Sequence, residues 1–407
     1  MIFIGNLKAR AKNVLMSKLH AVCAQDYDVV NAIVSRGIKG FIELDYQKLK
    51  SDILAYMDSV KTAPYTYKYA NSCPQPCLYA SIYAVMLEGL LDVLDERSKD
   101  DLNAWAEYLN SFQSPEDGLY YDPALSCPAY EHQGEWNEGW GKHHLMGHMI
   151  IALARLNVVP KYPLRYLEKY YDLDYLNKWM NHFDFAGDVW TVSNYFMNLY
   201  TVLQYVRDYM HEDRADEAIQ FMVQWLLNKQ NPSTGMWHSL PISELSHSER
   251  HRVVRAAYHF YPLFEYEGID VPFKKQIEDF IYPLQNSWGG WTVDGGNAGA
   301  CEDIDAIDPL LRYATTSDTK LIKSVIERSM IWQLASRNLD GGFSFYVRSR
   351  QDYGGHPLTT SQRDESSMFA TWFRTLCIAY EINFLGMAND FNIGRFPGYE
   401  IPIKNSL

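Results

Sequence analysis

The sequence predicts an all-α protein in which about six helical hairpins close into a double ring, an (α/α)6 toroid, as a single domain over residues 1–407. Three observations predict it. A short phrase recurs: a Gln or Asn, a few turn residues, then Gly and an aromatic. Stretches with bulky apolar residues at i, i+3 and i+4 lie on either side of it, and runs of strict apolar–polar alternation long enough for a sheet are scarce. Gln113 leads through Ser114-Pro115-Glu116-Asp117 to Gly118 and Tyr120. Gln230 leads through Asn231-Pro232-Ser233-Thr234 to Gly235 and Trp237, Gln285 to Gly289-Gly290-Trp291, and Asn338 to Asp340-Gly341-Gly342-Phe343. The last three copies stand about 55 residues apart, and the first about two such periods before the second, which marks a repeated supersecondary unit.

In chain order, residues 1–60 read as a helical lead-in, and Lys61-Thr62-Ala63-Pro64-Tyr65 as a turn where an opening repeat falls. After the phrase at Gln113, a weaker copy runs from His182 to Trp190. The stretch from Glu217 to Leu227 is helix-like and precedes the phrase at Gln230. The stretch from Arg252 to Phe264 follows it, with Pro262 predicting a kink or an end nearby. In each turn the glycine permits a tight bend, the Gln side chain can bond free main-chain groups at helix ends, and the aromatic packs on the neighbouring unit.

Composition narrows the function. A hydrophobic content of 47% supports a large core, and 30 Tyr with 11 Trp suit either inter-helix packing or an aromatic-lined cavity that stacks on sugars or faces a cation. The formal charge of −13 disfavours a nucleic-acid partner. No apolar run approaches the length of a transmembrane segment. Residues Met1 to Ala21 lack the uninterrupted apolar stretch of a signal peptide, so a cytoplasmic location is expected. Six Cys in a chain this long do not make a disulfide scaffold, and Cys73-Pro74-Gln75-Pro76-Cys77 has no second pair to complete a zinc site.

Three clusters could carry chemistry. The densest runs from Cys301 to Leu311 and holds Glu302, Asp303, Asp305 and Asp308 after a Gly-rich turn. Capping of a helix N-terminus explains one or two of these acids, but not readily all four. Asp305 and Asp308 should share a helix face, and crowded carboxylates raise one pKa, giving a proton donor near neutral pH. The three aspartates are therefore expected at a helix start lining the main cavity. The second cluster, Trp136 to His148, sets His144 and His148 four apart on one face, with Trp140 nearby as a substrate-binding aromatic. Glu138 or a carboxylate from the 302–308 cluster could add a third ligand to the histidines. Imidazoles bonded to carbonyls, or catalytic and binding roles, are the commoner outcomes, and neither a metal nor another cofactor is assigned. The third cluster holds His356, Glu365 and Trp372. His356 and Glu365 would face Asp305 across a cavity, or the acids of this segment would cap a helix.

The recurring phrases resemble the QW motifs of the terpenoid-cyclase and protein-prenyltransferase superfamily, of the squalene–hopene-cyclase type, over the region from about Gln113 to Phe343. The copy at 230–237 is the most specific. In class II terpenoid cyclases a Gly-Gly-Trp turn precedes an Asp-x-Asp-Asp motif, and here Gly289-Gly290-Trp291 precedes Asp303-Ile304-Asp305-Ala306 at a similar distance. The resemblance implies that Asp303 is the first motif Asp and that Asp305 is the central one, the residue that protonates an alkene or epoxide. Ala306 stands where the family has its last Asp. The Asp, Cys and His that hold zinc in the prenyltransferase branch have no matching set here.

Three functions follow from these readings. The first is a terpenoid-cyclase-like enzyme, an isomerase or lyase acting on an isoprenoid with Asp303, Asp305, Asp308, Glu365 and His144 as catalytic residues. Trp140, His148, Trp291, His356 and Trp372 would bind the substrate. The second is a carbohydrate-active enzyme (glycan lyase, epimerase or hydrolase) on the same toroid, with a sugar as the small-molecule substrate. The third is a non-catalytic ligand-binding toroid.

Overall fold

A computed structural model describes residues 27–126, 141–292, 297–315, 318–352 and 356–404. Among them the protein is all-α. Fourteen α-helices are accompanied by two short antiparallel ribbons, β1 (Lys61–Ala63) with β2 (Thr66–Tyr67) and β3 (Gln351–Asp352) with β4 (Thr360–Ser361). No helix among the described residues is long and apolar enough to cross a membrane.

After α1 (Tyr27–Ile42), two kinds of helix alternate. In α2 (Tyr46–Val60) the buried residues are Leu49, Ile53, Tyr56, Met57 and Val60, a single stripe on an otherwise polar helix. By contrast α3 (Leu78–Leu90) is buried at every residue, which its apolar sequence allows on all sides. The striped kind continues with α4 (Lys99–Asn110), and the enclosed kind with α5 (Lys142–Arg155), buried at all but its first and last residues. Next come α6 (Leu173–His182), α7 (Val189–Met210), α8 (Arg214–Lys229) and α9 (His247–Tyr258). A short α10 (Tyr261–Glu267) carries Pro262 in its first turn, so the expected break falls between α9 and α10. The chain continues through α11 (Lys274–Ile281), α12 (Ala300–Tyr313), α13 (Thr319–Ala335) and α14 (Met368–Phe384), with α12 buried everywhere but Cys301 and α14 everywhere but Asn383.

Six helices, most of them enclosed, pack in cyclic order: α3 on α5, α5 on α7, α7 on α9, α9 on α12, α12 on α14, and α14 back on α3. The others flank them, as α8 does α7, α11 does α12 and α13 does α14, while α1 lies along α13. One apolar core runs from Leu49 to Tyr399, and a smaller cluster of Val30, Trp288, Ala298, Trp332 and Val347 seats α1.

The recurring phrases sit where a flanking helix hands over to an enclosed one. The side-chain Nε2 of Gln113 donates to the Gly118 carbonyl at 2.9 Å, that of Gln230 to Gly235 at 2.7 Å and that of Gln285 to Gly289 at 2.9 Å. Trp237 and Trp291 donate Nε1 back to the Leu226 and Ile281 carbonyls of the preceding helix. The fourth copy differs in register from the sequence expectation. Asn338 aligns with Ser114, Asn231 and Asn286, whose backbone N–H closes the turn, and Arg337 takes the position of the glutamine. Arg337 pairs with Asp52 of α2 instead.

These turns also locate the neighbouring unit. Gly289 has φ +104, and a Cβ there would stand 2.1 Å from the Arg328 carbonyl of α13. Gly341 has φ +93, and a Cβ would stand 2.0 Å from the Asp52 carbonyl of α2, so the last phrase seats on the first flanking helix. Gly341→Ala is expected to cost about 1–3 kcal/mol by forcing that backbone apart. A lower urea midpoint at unchanged slope is the readout, and a midpoint equal to the parent's would show that this contact is loose.

Candidate functional site

The acid cluster is built on the first three turns of α12, and its four carboxylates have four different fates. Glu302 folds back to accept from the Gly299 N–H, capping the helix, and pairs with Arg255 of α9 at 2.7 Å. Asp303 is fully buried and accepts from the Trp291 N–H at 3.1 Å, from Trp332 Nε1 at 3.0 Å and from Arg374 Nη1 at 3.1 Å. Burial lifts its pKa to about 6 against the opposing pull of Arg374. Asp308 is held by both Nε and Nη2 of Arg312, at 2.8 and 2.7 Å. Asp303 therefore ties α12 to α13 and α14, while Asp308 is paired within α12 to Arg312, which in turn donates to the Ile401 carbonyl.

Asp305 is different. Its Oδ2 is buried and accepts no hydrogen bond among the described residues. Burial holds the carboxyl well above the usual range, Arg255 pulls it back, and the charges of Glu302, Asp303 and Asp308 add to the rise. A neutral acid is the form such a site favours.

The surroundings of Asp305 come from several helices. Tyr258 of α9 is buried with an unpartnered hydroxyl. Its pKa is raised first by burial and then by the charges of Asp308 and Asp305 among others. Tyr399 belongs to the segment after α14 and also feels the Asp305 charge. Its ring lies 6.4 Å from Tyr258, 4.9 Å from His148, 5.4 Å from Trp372 and 5.5 Å from Phe373, centroid to centroid. Trp372 stacks in turn on Tyr83 at 5.5 Å. The result is an aromatic-walled interior enclosed by the cyclic helices.

His144 and His148 share one face of α5, as their spacing requires, and their rings are 4.4 Å apart. The hydroxyl of Tyr79 and His144 Nδ1 share a hydrogen bond of 2.8 Å, while His148 Nδ1 meets the His144 carbonyl at 2.9 Å. His148 Nε2 is buried without a partner. Burial lowers both imidazoles, His148 to about 4, so both are neutral at pH 7. No group of three or more His, Cys, Asp or Glu side chains among the described residues is placed to hold a metal. Trp140 and Glu138 lie outside the described residues.

Three of the remaining expected site residues make contacts to nearby loops and turns. Glu365 accepts from the Ser72 N–H at 2.7 Å, Ser72 Oγ at 2.8 Å and the Gln362 N–H at 2.6 Å, clasping two loops with both oxygens. His356 Nδ1 accepts from the Leu358 N–H and starts a short 3-10 turn. Trp291 is the aromatic of its turn. These three do not join Asp305. A small cleft is lined by His143, Tyr166, Tyr170, Trp179, Tyr195 and their neighbours, and none of the acids borders it. Asp303, Asp305 and Asp308 are buried and none of them faces bulk solvent.

Sequence reasoning missed the floor of this interior. Residues 397–402 cross the C-terminal ends of the cyclic helices. Glu400 pairs with Arg155 of α5, Arg312 of α12 donates to the Ile401 carbonyl at 2.7 Å, and Tyr380 of α14 donates to the Tyr399 carbonyl at 3.0 Å. An aperiodic segment carries no pattern that announces such a role. Arg255 and Tyr258 were legible only as members of a helix-like stretch.

No family model matches the chain, and no curated protein matches it. Among solved structures it is similar to a protein from Actinoplanes, at 12% identity and a TM-score of 0.43, over 82% of this chain and 98% of that one.

Proposed function

We propose that the chain is an α/α-toroid enzyme that uses Asp305 as a proton donor to start the cyclisation or isomerisation of an isoprenoid. The cyclic packing of six helices, the alternating flanking helices and the seating of Gly341 on α2 support the toroid. The observation that carries the reaction is the buried, unpartnered Oδ2 of Asp305, since a polar atom left without a partner in a core calls for a functional explanation. The carboxyl is held protonated. Transfer of its proton to an alkene turns the π pair into a C–H bond and leaves a carboxylate beside Arg255 and a carbocation in the interior. The faces of Trp372, Tyr83, Tyr258 and Tyr399 offer negative charge density to that cation. Loss of a proton from a neighbouring carbon, back to the Asp305 carboxylate, completes an isomerisation without redox change. Ala306 removes the family's third Asp, so the acid works with Arg255 and Glu302 as its nearest charges.

The test is incubation of the purified protein with polyprenyl alcohols, their diphosphates and squalene, in the presence of a chelator, with products analysed by mass spectrometry. The expected product has the mass of the substrate and forms without metal and without diphosphate release. Polyprenyl substrates left untouched while a nucleotide sugar or oligosaccharide is converted would replace this reading with the carbohydrate one. A ligand bound but never changed would leave a binding toroid.

A further inference from the structure

We infer that His247 and His251 form a two-imidazole site for a divalent first-row metal ion of the zinc, nickel or copper class, at the start of α9 and apart from Asp305. The two residues are four apart on one helix face, and their Nε2 atoms stand 3.2 Å from each other. The rings are nearly perpendicular, at 84°, with centroids 4.8 Å apart. Two nitrogens bound at about 2.0–2.1 Å to a tetrahedral ion are separated by about 3.3 Å, so both lone pairs already span the bite of one metal. Without metal, one imidazole must donate its Nε2 proton to the other. Binding moves that proton from Nε2 to Nδ1 of the same ring, so both ligands stay neutral and no proton need be lost.

The backbone under the pair is fixed. Ser246 and Glu249 close a capping box on the first turn of α9, with the Ser246 N–H donating to Glu249 Oε2 at 2.8 Å. His251 is buried and hydrogen-bonded to the Trp291 backbone, which orients its ring. A backbone hydrogen bond on the imidazole is also the usual means of setting a ligand's tautomer. His247 is exposed and gives the ion access from solvent, and water completes the coordination. The nearest cation on the same face, Arg255, is paired with Glu302 at 2.7 Å, which offsets its repulsion of a metal.

The experiment uses the untagged full chain, stripped with chelator, and equilibrium dialysis against zinc, nickel or copper chloride followed by metal analysis. About one equivalent should bind per chain, with a copper spectrum showing two nitrogen ligands. His247→Ala, a change at an exposed position, should abolish that equivalent, while His182→Ala should keep it. No bound metal in the parent, or the same stoichiometry and spectrum in His247→Ala, would overturn the site. Neither result bears on Asp305, so the two inferences fail separately.

Discussion

Asp305→Asn is expected to abolish turnover while making the fold less sensitive to rising pH. Asn keeps the shape of the side chain but carries no acidic proton, and loss of a general acid costs about 10²- to 10⁴-fold in rate. The stability effect follows from linkage. Asp305 has a folded pKa well above its unfolded value of 3.8, so the folded state holds the proton more tightly. Its contribution to stability is full below pH 3.8 and is lost as the pH rises through the folded pKa. The variant lacks this loss, so its stability relative to the parent should be higher at neutral pH than near pH 4. Denaturation curves at the two pH values, beside a product assay, check both halves. A parent-like rate would remove Asp305 from the chemistry, and a pH-independent stability difference would show that its carboxyl is not held protonated.

Arg374→Met is expected to lower stability by about 3–5 kcal/mol, because it strands Asp303 in a core with no cation to meet it. The guanidinium is fully buried and donates to five acceptors: the carbonyls of Ser344, Phe345 and Ala298, Gln333 Oε1 and Asp303 Oδ2. It therefore joins α14 to α12, α13 and the turn after Gly341. Adding Asp303→Asn to Arg374→Met should recover part of the loss, since the stranded charge is gone. Guanidinium midpoints of the two single variants and the double variant give the coupling. A single variant within about 1 kcal/mol of the parent would mean the pair is not the tie described here.

Part of the site was legible for the same reason that the fold was. Local chemistry placed Asp305 on a helix behind a Gly-Gly-Trp turn, and a spacing of four put His144 beside His148. The partners of the other acids were less legible. Asp303, Asp308 and Glu365 looked like Asp305 in sequence, because a carboxylate reads the same whether an arginine 71 residues away or open space lies in front of it. Arg374 and Ser72 belong to other stretches of the chain, whereas Arg312 stands one helical turn from Asp308.

The all-α class and the turns at Gln113, Gln230 and Gln285 were already carried by the sequence. These rest on periodicity and on contacts between residues close in the chain, which a single segment carries within itself. Packing of the whole chain was needed to show that Asp305, alone among the four acids of its cluster, keeps a buried oxygen without a partner among the described residues, that Tyr399 closes the floor of the interior, and that Arg337 takes the place of a glutamine to reach Asp52. Those outcomes depend on burial and on partners far apart in sequence, and desolvation and long-range pairing come into being only when the segments have packed.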